Sequence, residues 1–370
     1  MWFIRELNSN HIFTNPNVQR TFPRYLKIIQ NQVSARFLLA KQLAIDPQIL
    51  KENTEDEIWE EYEKISLEFR EKIPKWDEKV KETRSVSPNY LDLKIKLASL
   101  LESPCRICER KCNRKRAENE LGFCLVPENG AIASAFLHYG EEPVLLPSGT
   151  IFFNGCTFRC VFCQNWDIAR AKKVSQEHIV ENLTAIEKNL ALKGARNLNY
   201  VGGDPSPNLK NILKSWTKLN RNITQLFNSN QFLSERGMML IEDIFDFWLP
   251  DFKYWDDDFA FKHSKVKNYK TILTRNLKRC FEYGSGEMII RHLVLPNRVE
   301  QDTKPILKWI KDDLDPYGTV MVNIMAQYHP DYLVPRDDRY KSINRRVTSQ
   351  EMKEALAFAK ELDLNFELVS

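Results

Sequence analysis

The sequence predicts an α/β protein: a partial (β/α)6 barrel of parallel strands, preceded by an N-terminal helical extension and a small Cys-rich metal-binding segment. Two patterns predict the barrel. From about residue 149, six short runs rich in β-branched and aromatic residues alternate with stretches whose apolar residues recur at helical spacing. Polar or glycine-containing motifs follow five of these six strands, as expected where parallel strands end at a shared active-site edge. A third pattern, the absence of glycine from residues 1–100, marks off the extension.

The helical extension is predicted for residues 1–103. In two stretches, Arg24–Ile45 and Glu55–Glu82, apolar residues recur at helical spacing, as they do in a helix that buries one face. We expect the metal-binding segment at residues 104–146 and the barrel at residues 147–370.

The barrel elements are predicted in order along the chain. The strands are Thr150–Asn154, Leu198–Val201, Thr224–Phe227, Phe245–Leu249, Met288–Leu295 and Val320–Met325. The helices between and after them are Glu177–Leu192, Asn208–Lys218, Glu235–Glu242, Tyr269–Tyr283, Lys304–Lys311 and Ser349–Leu362. The motifs NGCTFRC, GGDP, NSN, PDFK and QYHP follow the first, second, third, fourth and sixth strands.

Composition narrows the class of protein. The 370 residues are 43% hydrophobic and 28% charged, which is ordinary for a globular protein, with a formal net charge of +4. That charge is too small to indicate nucleic-acid binding by itself, although it does not exclude it. No run of about 18 apolar residues predicts a membrane span, and the N-terminus lacks the basic-then-apolar order of a signal peptide. We therefore expect a cytoplasmic protein with reduced thiols.

The cysteines are the strongest functional signal. Seven of the eight fall between Cys105 and Cys163, and in a reducing compartment such clustering indicates metal more readily than disulfides. Cys156, Cys160 and Cys163 stand in the string TIFFNGCTFRCVFCQNW, where the first barrel strand ends. Three thiolates on one loop can bind three corners of a [4Fe–4S] cubane and leave the fourth iron open. A zinc knuckle with a remote fourth ligand is the alternative.

The spacing CxxxCxxC, with an aromatic residue before the last cysteine, resembles the signature of the radical S-adenosylmethionine (SAM) superfamily. The strings HYGEEP (138–143), FFNGCTFRCVFCQN (152–165), YVGGDPSPNL (200–209), LPDFKY (249–254), RHLVLP (291–296) and MAQYHP (325–330) resemble the branch related to pyruvate formate-lyase activating enzyme. The resemblance covers about residues 104–362. It implies a [4Fe–4S] cluster whose open iron is chelated by SAM, an electron donor such as flavodoxin or ferredoxin, and a 5′-deoxyadenosyl radical that abstracts hydrogen from a substrate.

The resemblance also implies where SAM binds. Residues at or after the second, third, fifth and sixth strands match cofactor-binding positions of the superfamily: Gly202, Gly203, Asp204, Asn228, Asn230, Arg291 and His329. Relatives carry GGE where this chain has GGD, so the reach of the shorter acid is less. A plain Gly-Gly-Asp-Pro turn would also explain that motif, and a helix N-cap would explain the asparagines. The cation of Arg291 needs a partner inside an apolar strand, and the SAM carboxylate is a natural one.

Four other charged residues are ambiguous in the sequence. Asp251 and Lys253 occupy the place of a DxK-like element in the activating enzymes, and an ordinary ion pair is the alternative. Glu141 and Glu142 either line the substrate pocket or are solvated. His292 is predicted to point away from Arg291 by strand alternation, as a core or surface histidine.

A second group of cysteines, Cys105, Cys108, Cys112 and Cys124, forms a complete set of four. Four thiolates close a structural zinc site or hold a second cluster, which is either structural or an electron relay. The basic residues around them either offset the thiolates or dock an acidic partner or nucleic acid: Arg106, Arg110, Lys111, Arg114, Lys115 and Arg116. Cys280 is predicted to be a small buried apolar side chain.

Three functions follow from these observations. The first is an activating enzyme that makes a glycyl radical on a partner protein. The second is a radical SAM enzyme that modifies a small molecule, lipid, peptide or RNA. The third is a non-catalytic iron–sulfur or zinc protein, against which the open three-cysteine site and the GGD motif argue.

Overall fold

The computed structural model describes residues 12–51, 54–78, 84–170, 182–315 and 319–369. All six predicted barrel strands are present, and one further strand precedes them. The strands are β1 (Ile132–His138), β2 (Ser148–Phe153), β3 (Asn197–Gly202), β4 (Thr224–Ser229), β5 (Phe247–Pro250), β6 (Ile289–Leu293) and β7 (Met321–Met325).

The strands follow one another in space in the order of the sequence. β1 pairs antiparallel with β2, while β2, β3, β4 and β5 pair in parallel, and so do β6 and β7. Two isolated parallel bridges, Trp248 to Met288 and Asp251 to Arg291, join β5 to β6. The six parallel strands thus form the partial barrel that the sequence predicts.

Helices surround the strands. They are α1 (Pro16–Thr21), α2 (Pro23–Ile29), α3 (Arg36–Ala40), α4 (Glu55–Asp77), α5 (Tyr90–Glu102), α6 (Trp166–Ala169), α7 (Leu183–Leu192), α8 (Leu209–Trp216), α9 (Glu235–Met239), α10 (Asp257–Ser264), α11 (Tyr269–Glu282), α12 (Lys304–Trp309) and α13 (Ser349–Glu361). Single 3₁₀ turns lie at Pro47–Leu50, Arg116–Glu118, Pro143–Leu145, Ser206–Asn208, Val334–Arg336 and Asp338–Ile343, and π-turns at Val299–Thr303 and Ile310–Leu314 flank α12. None of the described helices is long and apolar enough to span a membrane.

The predicted helices and the observed ones do not agree everywhere. The stretch Arg24–Ile45 is not continuous, because Asn31 takes a left-handed conformation (φ 56°) between α2 and α3. Residues 79–82 and 177–181 of two predicted helices lie outside the described residues. Helix α10 was not predicted; it begins where the Asp256 side chain accepts from the backbone N–H groups of Asp258 and Phe259.

The first two helices close the bottom of the barrel. Val18, Phe22 and Tyr25 pack in one apolar cluster with the first residues of β5, β6 and β7: Phe247, Ile289 and Met321. The carboxylate of Glu287 accepts hydrogen bonds from the backbone N–H groups of Arg24 and Tyr25 at the start of α2. Each buried side chain of this size contributes about 1.5–3 kcal/mol, so the closure is a substantial part of the fold.

The longer helices of the extension pack on the outside of the barrel. Helix α5 contacts α8 and α9. Lys94 of α5 forms a fully buried ion pair with Asp243 (2.7 Å), whose other oxygen accepts from the hydroxyl groups of Ser66 and Tyr90. The extension and the barrel therefore share one continuous apolar core.

Candidate functional site

One cavity of about 540 Å³ opens at the C-terminal ends of the strands and reaches into the barrel. It brings together three cysteines and most of the polar residues that the sequence singled out. These lining residues are Glu141, Glu142, Cys156, Cys160, Cys163, Gly202, Gly203, Asn228, Asn230, Asp251, Lys253 and Arg291. His138, Phe162, Asn323 and Gln327 also line it.

The cysteine loop after β2 is held by contacts on both sides. The backbone N–H groups of Arg159 and Val161 donate to the carbonyl groups of Ser264 and His263 at the end of α10. The Ser264 hydroxyl donates to Cys160 Sγ at 3.0 Å. Two aromatic side chains of the loop, Phe158 and Phe162, are buried against other rings.

The thiols of this loop fit metal ligation. Burial raises the pKa of Cys156 well above its usual range, and the negative Asp204 nearby adds to this effect. Burial likewise raises the pKa of Cys163, to about 12. Such thiols become thiolates only where a metal ion supplies compensating positive charge.

The arrangement also bears on the zinc alternative. Within the described ranges, no three His, Cys, Asp or Glu side chains are arranged to hold a single metal ion. One zinc ion would need such a set, whereas a cubane binds each thiolate on a different iron atom. Three thiolates that line one cavity are the ligand set that a cubane with an open iron requires.

The two glycines of the GGD motif are required by the chain itself. Gly202 has φ 116°, and a Cβ on it would lie 2.2 Å from the backbone nitrogen of Phe153. A Cβ on Gly203 would lie 1.9 Å from the carbonyl oxygen of Gly155. Both glycines line the cavity, and they let β3 approach the cysteine loop closely.

Asp204 lies behind the cavity wall. It is 1% exposed, it does not line the cavity, and its carboxylate accepts from the Thr157 hydroxyl and from the backbone N–H (3.1 Å) and hydroxyl (2.8 Å) of Ser206. Both oxygens thus have partners within the chain, and a contact of Asp204 with SAM stays a prediction. The acid positions the loop.

Asn228, near the end of β4, and Asn230, just after it, both line the cavity. Asn228 is 4% exposed, and its Nδ2 group has no hydrogen-bond partner among the described residues. Asn230 donates to Cys156 Sγ (3.6 Å) and accepts from Lys253 Nζ (2.8 Å). The N-cap alternative does not hold, since Ser234 caps α9.

Lys253 lies between the asparagines and the cysteines. Its Nζ is 2.6 Å from Asp251 Oδ2. Burial opposes its charge, but Asp251 and the Cys160 sulfur outweigh burial and raise the pKa of Lys253. The ion pair weighed from the sequence is therefore present, and it faces the cavity.

Arg291 has partners within the chain, which the sequence did not reveal. Its Nε and Nη2 donate to both oxygens of Glu142 (2.8 and 2.6 Å), and Nη2 also donates to Glu141. Asn199 Nδ2 donates to Glu141 (3.0 Å), and Asn323 Nδ2 to Glu142 (2.8 Å). We call these five residues the acid–arginine cluster. The chain itself therefore supplies the partner that Arg291 needs, while Arg291 still lines the cavity and its contact with SAM stays a prediction.

The three histidines near the strand ends have different surroundings. His292 is buried, with its ring nitrogens 2.8 Å from the Phe252 carbonyl and the Thr303 hydroxyl, as a core histidine would be. His329 is not among the lining residues, and its Nδ1 is 3.4 Å from the Pro330 carbonyl. His138, which the sequence reasoning missed, lies 3.0 Å from Glu141. The motif HYGEEP that contains it was the available signal.

The second cysteine group converges on a separate small pocket. Cys105, Cys108, Cys112 and Cys124 line a space of about 10 Å³, and all eight cysteines are free thiols. The backbone N–H of Cys156 donates to the Cys124 carbonyl at 3.2 Å, so this group packs directly behind the cysteine loop. Cys280 is fully buried in α11, as expected.

The basic residues around this group are offset within the chain. Arg106 pairs with Glu55 (2.8 Å), and Arg116 pairs with Glu102 (3.1 Å) in the interior. Lys111, Arg114 and Lys115 each have an acidic neighbour within 4.0 Å, and Arg110 donates to the Thr157 carbonyl. Charge offset therefore describes these residues better than a docking patch.

Comparisons with known proteins agree with this geometry. The model of the family described as "Radical SAM superfamily" matches residues 150–310. The uncharacterized protein MJ0674 of Methanocaldococcus jannaschii is 38% identical over 347 residues, which are 92% of this chain and 98% of that protein.

Two solved structures resemble parts of the chain. SuiB of Streptococcus suis, bound to S-adenosylmethionine, has 14% identity and a TM-score of 0.40, over 57% of this chain and 47% of SuiB. This chain therefore matches less than half of SuiB. TYW1 with a lysine-pyruvate adduct bound has 16% identity and a TM-score of 0.35, over 58% of this chain and 72% of TYW1.

Proposed function

Because this chain belongs to the radical SAM superfamily, we propose that it cleaves SAM reductively at a [4Fe–4S] cluster on Cys156, Cys160 and Cys163. The observation that carries the proposal is their position, since all three line the cavity that holds the unsatisfied amide of Asn228. An unsatisfied buried donor costs about 1–3 kcal/mol unless a ligand supplies an acceptor. When bound, the cluster supplies the electron that breaks the C5′–S bond of SAM and yields the 5′-deoxyadenosyl radical.

The residues of the chain prepare this site in three ways. Asn228 Nδ2 donates to an acceptor on SAM, and the backbone at Gly202 and Gly203 allows SAM to approach closely. Lys253, held by Asp251 and Asn230, places a positive charge beside the thiolates. Phe158 and Phe162 keep water from the cysteines. His329 stays a prediction as a contact of the adenine.

We also propose a second metal centre, zinc or a cluster, at Cys105, Cys108, Cys112 and Cys124. Four free thiols that share one small pocket support it.

Two candidate functions remain, and they differ in the substrate. The motif resemblance supports an activating enzyme that makes a glycyl radical on a protein, with flavodoxin or ferredoxin as donor in the cytoplasm. The closed barrel bottom and the acid–arginine cluster inside it favour the second candidate, an enzyme that modifies a smaller molecule or a peptide end.

The test is anaerobic reconstitution with iron and sulfide, reduction by dithionite in the presence of SAM, and an assay for 5′-deoxyadenosine. We expect product from the wild type and from Cys280→Ala, and none from Cys160→Ala. If wild-type protein with a full, reducible cluster makes no 5′-deoxyadenosine, the enzyme proposal is wrong and the non-catalytic iron–sulfur protein takes its place.

A further inference from the structure

The acid–arginine cluster is not balanced in charge. One guanidinium, Arg291, serves two carboxylates, and the side chains of Glu141 and Glu142 are only 5% and 2% exposed. Burial opposes the charge of Glu141, but Arg291 and His138 outweigh it and lower the pKa of Glu141 to about 2. Glu141 therefore remains ionised in a place where an unpaired charge is costly, and the carboxylate of Glu142 is buried beside it.

The lysine and arginine side chains of the cavity do not give each acid a partner of its own. Lys253, the other lysine or arginine among the described lining residues, is paired with Asp251. The wall thus carries three carboxylates against two such cations, and His138, 3.0 Å from Glu141, is the remaining basic side chain beside them. The amide groups of Asn199 and Asn323 give the carboxylates hydrogen bonds but no charge.

A second, independent observation in the same cavity is a buried donor without a partner among the described residues. Asn228 lines the cavity and is 4% exposed, that is, 96% buried. Its Nδ2 group has no hydrogen-bond partner among the described residues. A ligand in this cavity thus meets a free donor from β4 and a surplus carboxylate inside the barrel.

We propose that the substrate carries a cationic nitrogen, as in a primary amine, amidine or guanidine, and that Glu141 and Glu142 receive it. This proposal rests on the proposed function, because the ligand is a substrate only if the protein is a radical SAM enzyme. It adds to that function the chemical class of the substrate. The nitrogen takes the place of a second arginine: its N–H groups donate to the carboxylate oxygens, and its charge offsets the surplus acid. The two glutamates are then specificity-determining residues.

The probes that test this share one carbon chain and differ in charge: n-pentylamine, pentan-1-ol and pentanoate. Their binding to the cluster-loaded protein with saturating SAM is measured by isothermal titration calorimetry. We expect pentylamine to bind about tenfold more tightly than pentan-1-ol, as one charge-assisted hydrogen bond allows. Pentanoate should bind more weakly than either.

The variants Glu141→Gln and Glu142→Gln should bring the affinity for pentylamine down to that for pentan-1-ol. Glu300→Gln, which removes an exposed glutamate paired with Lys304 outside the cavity, is the matched control and should keep the preference. Each cavity variant leaves one carboxylate for Arg291, so the fold should survive. If a variant fails to load its cluster, the series of three probes on the wild type decides.

Equal binding of pentylamine and pentan-1-ol by the wild type would overturn the proposal. So would a Glu141→Gln protein that keeps its amine preference but loses affinity for SAM, because the surplus acid would then serve the cationic cofactor. The calorimetry does not depend on turnover. A protein that binds pentylamine through Glu141 but never forms 5′-deoxyadenosine would refute the enzyme function and leave the amine site standing.

Discussion

The two groups of cysteines lie back to back and differ in what surrounds them. Cys156, Cys160 and Cys163 face a cavity of about 540 Å³, whereas Cys105, Cys108, Cys112 and Cys124 share a space of about 10 Å³. Around the first group the Asn228 amide has no partner among the described residues, and two glutamates share one arginine. Around the second group Arg106 and Arg116 each pair with a glutamate. This contrast is what we expect if the proposed centres are a reactive and a structural metal site, because a reactive site keeps positions open for ligands.

The closed group also supports the open one. The ring of Phe123 lies between two guanidinium groups, that of Arg110 at 3.9 Å and that of Arg159 at 4.0 Å. Arg159 belongs to the cysteine loop. Three residues before it in the chain, the backbone N–H of Cys156 donates a hydrogen bond to the carbonyl of Cys124. Order in the closed group is therefore expected to set the geometry of the open group.

The largest effect is expected when the closed group loses a ligand. Cys108→Ala should lose the second metal and much of the stability, since structural metal binding is worth on the order of 10 kcal/mol to a small site. Metal content per chain and the melting temperature measure this. Cys280→Ala, a buried cysteine outside both groups, is the control. Equal metal content in the two variants would remove the closed metal site from the comparison.

A smaller loss is expected at the contact between the two groups. Asp204→Asn weakens the bonds to Thr157 and Ser206, and it should cost about 1–3 kcal/mol of unfolding free energy. It should also lower the iron content of the open site, which visible absorption of the cluster reports. Asp313→Asn, on the surface, should change neither quantity. Full iron occupancy in Asp204→Asn would mean that the loop holds its shape without the acid.

The open site should respond in ligand affinity instead of stability. Asn228→Ala removes an amide nitrogen without a partner, so unfolding should change little while SAM binds about tenfold more weakly. Equilibrium dialysis with SAM measures the affinity. Asn211→Ala, at an asparagine outside the cavity, should leave it unchanged. A large loss of stability with unchanged SAM affinity would place Asn228 among structural residues.

The smallest change in stability is expected when Glu141, one of the two carboxylates that share Arg291, is replaced. Glu141→Gln should shift the unfolding free energy by less than about 1 kcal/mol, because Arg291 keeps Glu142 as its partner. Arg291→Met should cost about 3–5 kcal/mol, since it leaves two buried carboxylates unpaired. Chemical denaturation of the two variants tests the asymmetry. Similar losses in both would show that Glu141 is a balanced partner of Arg291.

The sequence predicted those features of the fold and the site that depend on a local pattern of residues. The six barrel strands are apolar runs bounded by polar motifs, and residues such as Cys160, Gly203 and Asn230 were found because they follow strand ends. The partners of Arg291 were missed, because Glu142 is 149 residues away along the chain and only barrel closure brings them together. The orientation of Asp204 was missed for a similar reason, since the GGD motif does not reveal that Thr157 lies behind it.

The closure of the barrel by α1 and α2 has a practical consequence. A shortened chain that begins at residue 104 would contain every cysteine and every strand, but it would lack α1 and α2. The apolar side chains of Phe247, Ile289 and Met321, which these helices cover, would then face water. Such a fragment should precipitate or associate through its base. Any relative that lacks these helices must cover that ring in another way, with a different segment of its own or with a second protein.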